Sequence, residues 1–205
     1  MADMITGPDG RDRCAWVGDY PPFIPYHDLE WGFPVADDIR LFEKLCLESF
    51  QSGLSWRTIL DKRDNFRAAF DGFDFNIMAT YGPDKVEELV QNAGIIRHRG
   101  KIGAVINNAA KARDIVAEMG SLAAYVWSFE PPGDEIPVPR SMTTSPASHA
   151  MSKDMKKRGW KFVGPTTIFA FMQSMGLIND HVPGCAVRDQ VNAARQAFQR
   201  PQATR

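Results

Sequence analysis

The stretch "VEELVQNAGIIRHRGKIGAVINNA", residues 86–109, decides how the rest of the chain is read. Apolar residues recur at helical spacing on both sides of a short turn, Ile96 to Gly100, which holds Arg97, His98 and Arg99 and is followed by Lys101. Two helices joined by a tight glycine turn present backbone N–H groups at a helix N-terminus, an arrangement suited to a phosphate. Side chains of Arg97, Arg99 and Lys101 would add charge-assisted contacts. That geometry is a helix-hairpin-helix clamp for DNA. A solvated basic turn between two helices explains the same residues equally well. His98 reads as structural, or as a phosphate donor, rather than as a catalytic base.

Outward from this hairpin the pattern stays helical. Asp37 or Asp38 is an N-cap for "DDIRLFEKLCLESFQSG", where Leu41, Phe42 and Leu45 fall at helical spacing. "SWRTILDKRDNFRAAFDGF" reads as a second helix ending at Gly72, and the next stretch breaks into two pieces at Gly82-Pro83. "HAMSKDMKKRGWKFVGPTTIFAFMQSMGLIND" reads as a helix, a basic turn and a buried helix. Strand signals are scarce and no repeat is visible, so the expected class is all-α. The expected organisation is a loose, flexible leader over residues 1–13, one compact helical domain over 14–188, and a polar tail over 189–205 that frays at its end. Residues 14–34, rich in Pro, Gly and aromatics, read as irregular but packed.

Two hundred and five residues suit one large domain, and a net charge of −1 means that any affinity for nucleic acid comes from local patches. The opening residues carry no apolar core of a signal peptide, and no apolar run approaches the roughly 18 residues that span a bilayer. A soluble, cytoplasmic protein without membrane partners is the expectation. Three widely separated cysteines, Cys14, Cys46 and Cys185, argue against a disulfide framework.

Four features carry possible chemistry. In "CLESFQSGLSW", residues 46–56, Glu48 lies about 20° from Leu41 on the helical wheel, so a carboxylate falls on the inward side. A buried carboxylate costs several kcal/mol unless something pairs with it. Aromatics crowd around it in sequence: Trp16, Phe23, Tyr26, Trp31 and Trp56. A pocket walled by such residues with one carboxylate suits a flat, cationic, nitrogen-rich ligand. A second basic cluster contributes Lys153, Lys156, Lys157, Arg158 and Lys161 around Trp160, either a solvated helix face or a surface that tracks a nucleic-acid backbone. Finally, His181 and Cys185 lie four apart, and Cys14 and His27 lie thirteen apart near the other end. Together they make a set that would close a tetrahedral zinc site, although the spacing matches no common finger and unrelated scattered residues are the more ordinary explanation.

Five stretches in order, "RCAWVGDYPPFIPYHDLEWGFP", "LCLESFQSGLSW", "AGIIRHRGKI", "KKRGWKFVGPTTIFAFMQSMGLINDH" and "HVPGC", closely resemble the DNA-3-methyladenine glycosylase I family across residues 13–186. The resemblance implies a helix-hairpin-helix glycosylase fold that excises 3-methyladenine from double-stranded alkylated DNA. It also implies a structural zinc ion held by Cys14, His27, His181 and Cys185, tying the N- and C-terminal segments together. Carried over, Glu48 binds the edge of the base and is the expected catalytic residue. Tyr26 and Trp56 form the pocket with Phe23, and Trp16 stacks on the base. Gly53, Leu54 and Ser55 approach the gap left in the duplex, with Leu54 as a wedge. Arg97, His98, Arg99, Lys101 and Lys161 hold the phosphates. Phe23 stands where relatives often carry tyrosine, and Ser49 where many carry glycine. The expected enzyme is a monomeric hydrolase without lyase activity, releasing free 3-methyladenine; no lysine occupies an evident nucleophile position. The alternatives are a non-catalytic damage-binding protein of the same fold and a zinc-stabilised helical module that binds a protein partner.

Overall fold

The chain opens with a hairpin, where the sequence reads as a loose leader: β1 (Met4–Thr6) pairs antiparallel with β2 (Asp12–Cys14), Met4 opposite Cys14. The reason is electrostatic. Arg13 is almost wholly buried and its guanidinium binds Asp9 and Asp28 at 2.7 Å each, so the leader is tied to the body by charge rather than by an apolar stripe. This computed structural model describes residues 3–133 and 138–204.

The remaining elements are helical. A 3-10 turn at Ala15–Val17 leads to α1 (Phe23–Leu29), so the aromatic stretch is more regular than its composition implies. Then come α2 (Asp38–Gln51), α3 (Trp56–Asp61), α4 (Arg63–Ala69), α5 (Phe75–Met78), α6 (Pro83–Gln91) and α7 (Arg99–Met119). The chain continues through α8 (Leu122–Trp127), α9 (Pro146–Lys157), α10 (Pro165–Ser174) and α11 (Arg188–Ala197). The single helix expected over residues 55–72 is two, because Lys62 leaves helical geometry between α3 and α4. The break at Gly82-Pro83 is where the sequence puts it: Gly82 is extended and Pro83 opens α6.

Helix α2 is the spine. Asp37 is extended and accepts from the Arg40 N–H at 2.8 Å, the capping arrangement that its residue type favours. Its neighbour Asp38 accepts from Leu122 and Ala123 N–H at 3.0 and 2.8 Å, satisfying two orphan donors where α8 starts. α2 packs on α7, α8 and α10, with Leu41, Phe42, Leu45 and Phe50 in the main core. Trp160 belongs to that core too, its ring 6.3 Å from Phe42, so it is no part of a backbone-tracking surface.

The tail also differs from its polar composition. α11 is amphipathic, Phe198 packs on Trp127 with ring centres 4.5 Å apart, and Arg195 and Arg200 both bind Glu130 at 2.9 Å.

Candidate functional site

Glu48 sits on the face of α2 that meets α1 and α3, and it borders a cavity of about 400 Å³. Trp16, Phe23, Tyr26 and Trp56, all singled out from sequence, line the same cavity. Trp16 lies edge-on to Tyr26 with centres 6.1 Å apart, and Tyr26 leans on Trp56 at 5.3 Å. The indole N–H groups of Trp16 and Trp56 are buried with no partner among the described residues. Trp31, grouped with these aromatics in the sequence, lines the cavity too, as do Gln51, Arg57, Arg140 and Gln173, which the sequence does not assign to it. Gln173 donates to Asp180 at 2.5 Å, and burial raises the Asp180 carboxyl against the pull of Arg140.

The partner of Glu48 is Lys44, one helical turn earlier. Its ammonium lies 3.0 Å from Glu48 Oε1, and both side chains are nearly inaccessible, at 7% and 5% exposure. Lys44 also donates to the Tyr26 hydroxyl at 2.6 Å and lies 3.4 Å from the centre of the Trp56 ring. The carboxylate that seemed unpaired in sequence is therefore paired within the protein, by the i, i+4 spacing available to any Glu and Lys on one helix. Burial, then the charge of Glu48, push the Tyr26 phenol well above its usual range, so it keeps its proton.

The other sequence candidates separate. Gly53 has φ +77°, which lets the chain turn sharply after α2, and Leu54 stands 40% exposed at that turn. Ser55 caps α3 by accepting from Thr58 N–H at 3.2 Å. Gly53 and Leu54 border a smaller cavity that Glu48 shares, while Ser55 lines the larger one. At the hairpin, His98 caps α7 by accepting from Lys101 N–H at 3.2 Å, a structural role. Arg97 is exposed, with no ion pair among the described residues; Arg99 pairs with Glu87; Lys161 is exposed.

Lys101 departs from its expected role. It is buried, and its ammonium donates to the carbonyls of Phe50 and Ser52 at 2.9 and 2.5 Å, capping the C-terminal end of α2. It is a helix-end cation rather than a phosphate ligand. Lys101→Met leaves those carbonyls without their donor. The expected loss is about 1–3 kcal/mol, read as a lower denaturant midpoint with unchanged slope.

Cys14, His27, His181 and Cys185 converge, although they come from opposite ends of the chain. Their ligand atoms lie within 4.8 Å of one another and all four residues are buried. Cys14 Sγ is 3.7 Å and Cys185 Sγ 3.4 Å from His181 Nδ1, and Cys185 Sγ is 3.5 Å from His27 Nε2. A tetrahedral zinc with Zn–S near ~2.3 Å and Zn–N near ~2.0–2.1 Å puts such pairs about 3.6 Å apart, so the spacing fits. The outer shell fits as well. His27 Nδ1 lies 2.8 Å from Asp28, and His181 Nε2 lies 3.0 Å from the Trp31 carbonyl. Those bonds place a proton on the outward nitrogen of each ring and aim the inward lone pairs at one another. Gly32, at φ +88°, lets the backbone pass His181; a Cβ there would lie 3.1 Å from Nε2.

A family model described as methyladenine glycosylase matches residues 16–189. The chain is 48% identical over 178 residues to DNA-3-methyladenine glycosylase 1 of Escherichia coli (strain K12), across 85% of this chain and 95% of that protein. A crystal structure of 3-methyladenine DNA glycosylase I superposes with a TM-score of 0.80 at 48% identity, covering 85% of this chain and 98% of that one. A structure of the Staphylococcus aureus enzyme, described as giving the structural basis of 3-methyladenine recognition, matches with a TM-score of 0.79 at 32% identity, over 86% of this chain and 96% of that one.

Proposed function

The chain belongs to the methyladenine glycosylase family, and we propose that it hydrolyses the N-glycosidic bond of 3-methyladenine in duplex DNA, leaving an abasic site and an uncut strand. The observation that carries this reading is Glu48, held by Lys44, at the wall of a cavity lined by Trp16, Phe23, Tyr26 and Trp56. Methylation at N3 gives the adenine a positive charge and makes it a good leaving group. The protein then needs to extrude the nucleotide, at a few kcal/mol that a damaged pair reduces, and hold the base. Glu48 accepts N–H bonds from the base edge, with Tyr26, Trp56, Trp16 and Phe23 around it. The oxocarbenium-like sugar that forms is stabilised by DNA phosphates and oriented dipoles, and water attacks C1′.

No lysine is among the residues lining the cavity, and the nearby Lys44 spends its donors on Glu48 and Tyr26. Among the described residues the cavity thus offers no free lysine as a Schiff-base nucleophile, which supports hydrolysis alone. Incubation with methylated duplex should release 3-methyladenine and leave sites that break only under alkali. Breaks accumulating as fast as base release would overturn the monofunctional reading; binding of damaged DNA without release would favour the damage-binding alternative. Release of 7-methylguanine and hypoxanthine is expected to be poor, since a pocket that pairs with one base edge leaves polar groups unmatched by another.

Gly53, Leu54 and Ser55 face the opened duplex in this reading, and Arg97, His98, Arg99 and Lys161 lie along its backbone, with the exposed Arg57 and Arg140 at the cavity wall. Arg97→Ala should weaken DNA binding about equally for all sequences and lower the slope of log affinity against log salt by about 1. No helix among the described residues is long and apolar enough to cross a membrane. The proposal includes a single domain acting as a monomer in the cytoplasm, with zinc joining its two ends at Cys14, His27, His181 and Cys185.

A further inference from the structure

We infer that Lys44 is a positioning residue that sets the hydrogen-bond polarity of the pocket, making Tyr26 a donor and leaving Glu48 an acceptor. The inference rests on the base-excision reading above and deepens it, by naming what lets the pocket tell one base edge from another.

An ammonium has three hydrogens and no acceptor. Lys44 gives one to Glu48 Oε1 at 3.0 Å and one to the Tyr26 hydroxyl at 2.6 Å, and the rest of its charge lies against the Trp56 face. A phenol oxygen that accepts from Lys44 still owns its hydrogen, and that hydrogen has no other partner among the described residues. Tyr26 lines the cavity, so the hydrogen is left for a ligand acceptor. The second oxygen of Glu48 is likewise without a partner, and a carboxylate only accepts. The wall therefore offers an acceptor beside a donor. An edge that sets an amino group beside a ring nitrogen, as adenine does, matches both. An edge with two acceptors, as in guanine or hypoxanthine, turns a carbonyl oxygen toward the carboxylate.

Without the ammonium the arrangement collapses in a definite way. Among the described residues the Tyr26 hydroxyl and Glu48 are joined only through Lys44, at 2.6 and 3.0 Å, so without it the phenol is free to swing its hydrogen toward the carboxylate and the pocket loses its fixed donor. Removal of Lys44 thus cancels the contribution of the Tyr26 hydroxyl, which makes the two residues non-additive.

The surroundings also make the ammonium titratable. Besides Glu48 and Tyr26, the charged groups around it are Glu30 from the end of α1, Arg40 and Glu43 on α2, and Arg63 on α4. Glu30 is held by Arg63 at 2.7 Å and Glu43 by Arg67 at 2.8 Å, so neither gives its full charge to Lys44. Burial pushes the Lys44 ammonium down to about 8. As pH rises through that value the amine becomes an acceptor, Tyr26 donates to it, and base affinity falls.

The experiment compares wild type, Lys44→Met, Lys44→Arg, Tyr26→Phe and the Lys44→Met/Tyr26→Phe double variant. It reads binding of free 3-methyladenine from pH 6 to 10 and release of 3-methyladenine against hypoxanthine. Wild type should lose affinity with a midpoint near pH 8. Lys44→Met should lack that limb and lose about tenfold in selectivity, and adding Tyr26→Phe to it should cost nothing further. Lys44→Arg should keep the selectivity and carry the limb to higher pH. Wild-type selectivity in Lys44→Met, additive effects with Tyr26→Phe, or an unmoved limb in Lys44→Arg would overturn the inference. Lys44→Arg still tests it should Lys44→Met fail to fold. Wild-type protein that binds the base but releases none from DNA refutes the excision reading alone; protein that does neither refutes both.

Discussion

Glu48→Gln should lower kcat/KM for 3-methyladenine release by about 10²–10³-fold while the protein melts within a few degrees of wild type. The glutamine keeps the shape and still accepts from Lys44, now at 3.0 Å from Glu48 Oε1, so packing changes little. What changes is charge. In the wild type Glu48, held by Lys44, presents its second oxygen to the cationic base and is the carboxylate that lines the cavity. In the variant Lys44 loses the carboxylate that raises its pKa, so burial drives it toward the neutral amine and the base meets no negative charge on this wall. Two unit charges at 4 Å interact by about 4 kcal/mol at an effective dielectric of about 20, so the lost attraction between Glu48 and the cationic base reaches the stated range. The measurement is single-turnover release from methylated duplex. A variant that excises at the wild-type rate and binds free 3-methyladenine equally well would sink the assignment of Glu48.

The same salt bridge shows where a sequence is legible and where it is not. The inward place of Glu48 follows from seven residues of helical rotation after Leu41, and the Asp37 cap follows from residue type; both are local facts. Lys44 was open to the same reasoning, because Lys and Glu four apart on one helix are neighbours. The signal is its inward position, on a helix whose apolar residues flank it. Lys101 failed differently: in sequence it is one more cation beside Arg97 and Arg99, and only the arrival of the α2 terminus, 49 residues away at Ser52, separates them. Arg140 and Gln173 reach the cavity from distant parts of the chain, which no local period encodes. The β1–β2 hairpin is not legible in the sequence because a buried ion pair ties it down, and binary patterning is blind to that.

Removing zinc is expected to cost several kcal/mol of stability. The fold sets two lone pairs from His27 and His181 beside two thiols in a buried space. Asp28 and the Trp31 carbonyl occupy the outward ring nitrogens, so without a cation the inward groups must share protons among themselves or find water. The Cys14 thiol, together with His181 and His27, already holds the Cys185 thiol well below its usual range, the ionisation a metal requires. The ligands also join residues 14 and 27 to residues 181 and 185, so metal binding closes a long loop. Purified protein should carry one zinc per chain, and chelation or Cys185→Ser should lower the melting temperature by about 10 °C, at about 2–4 °C per kcal/mol for a chain of this size. Base release should fall as well, because His27 neighbours Tyr26 on α1 and the pocket wall moves with it. Zinc-free protein that melts with the wild type would show that these four residues pack without a metal, and the closure of the N- and C-terminal segments would then rest on Arg13, Asp28 and the aromatic cluster of Trp16, Tyr26 and Trp31.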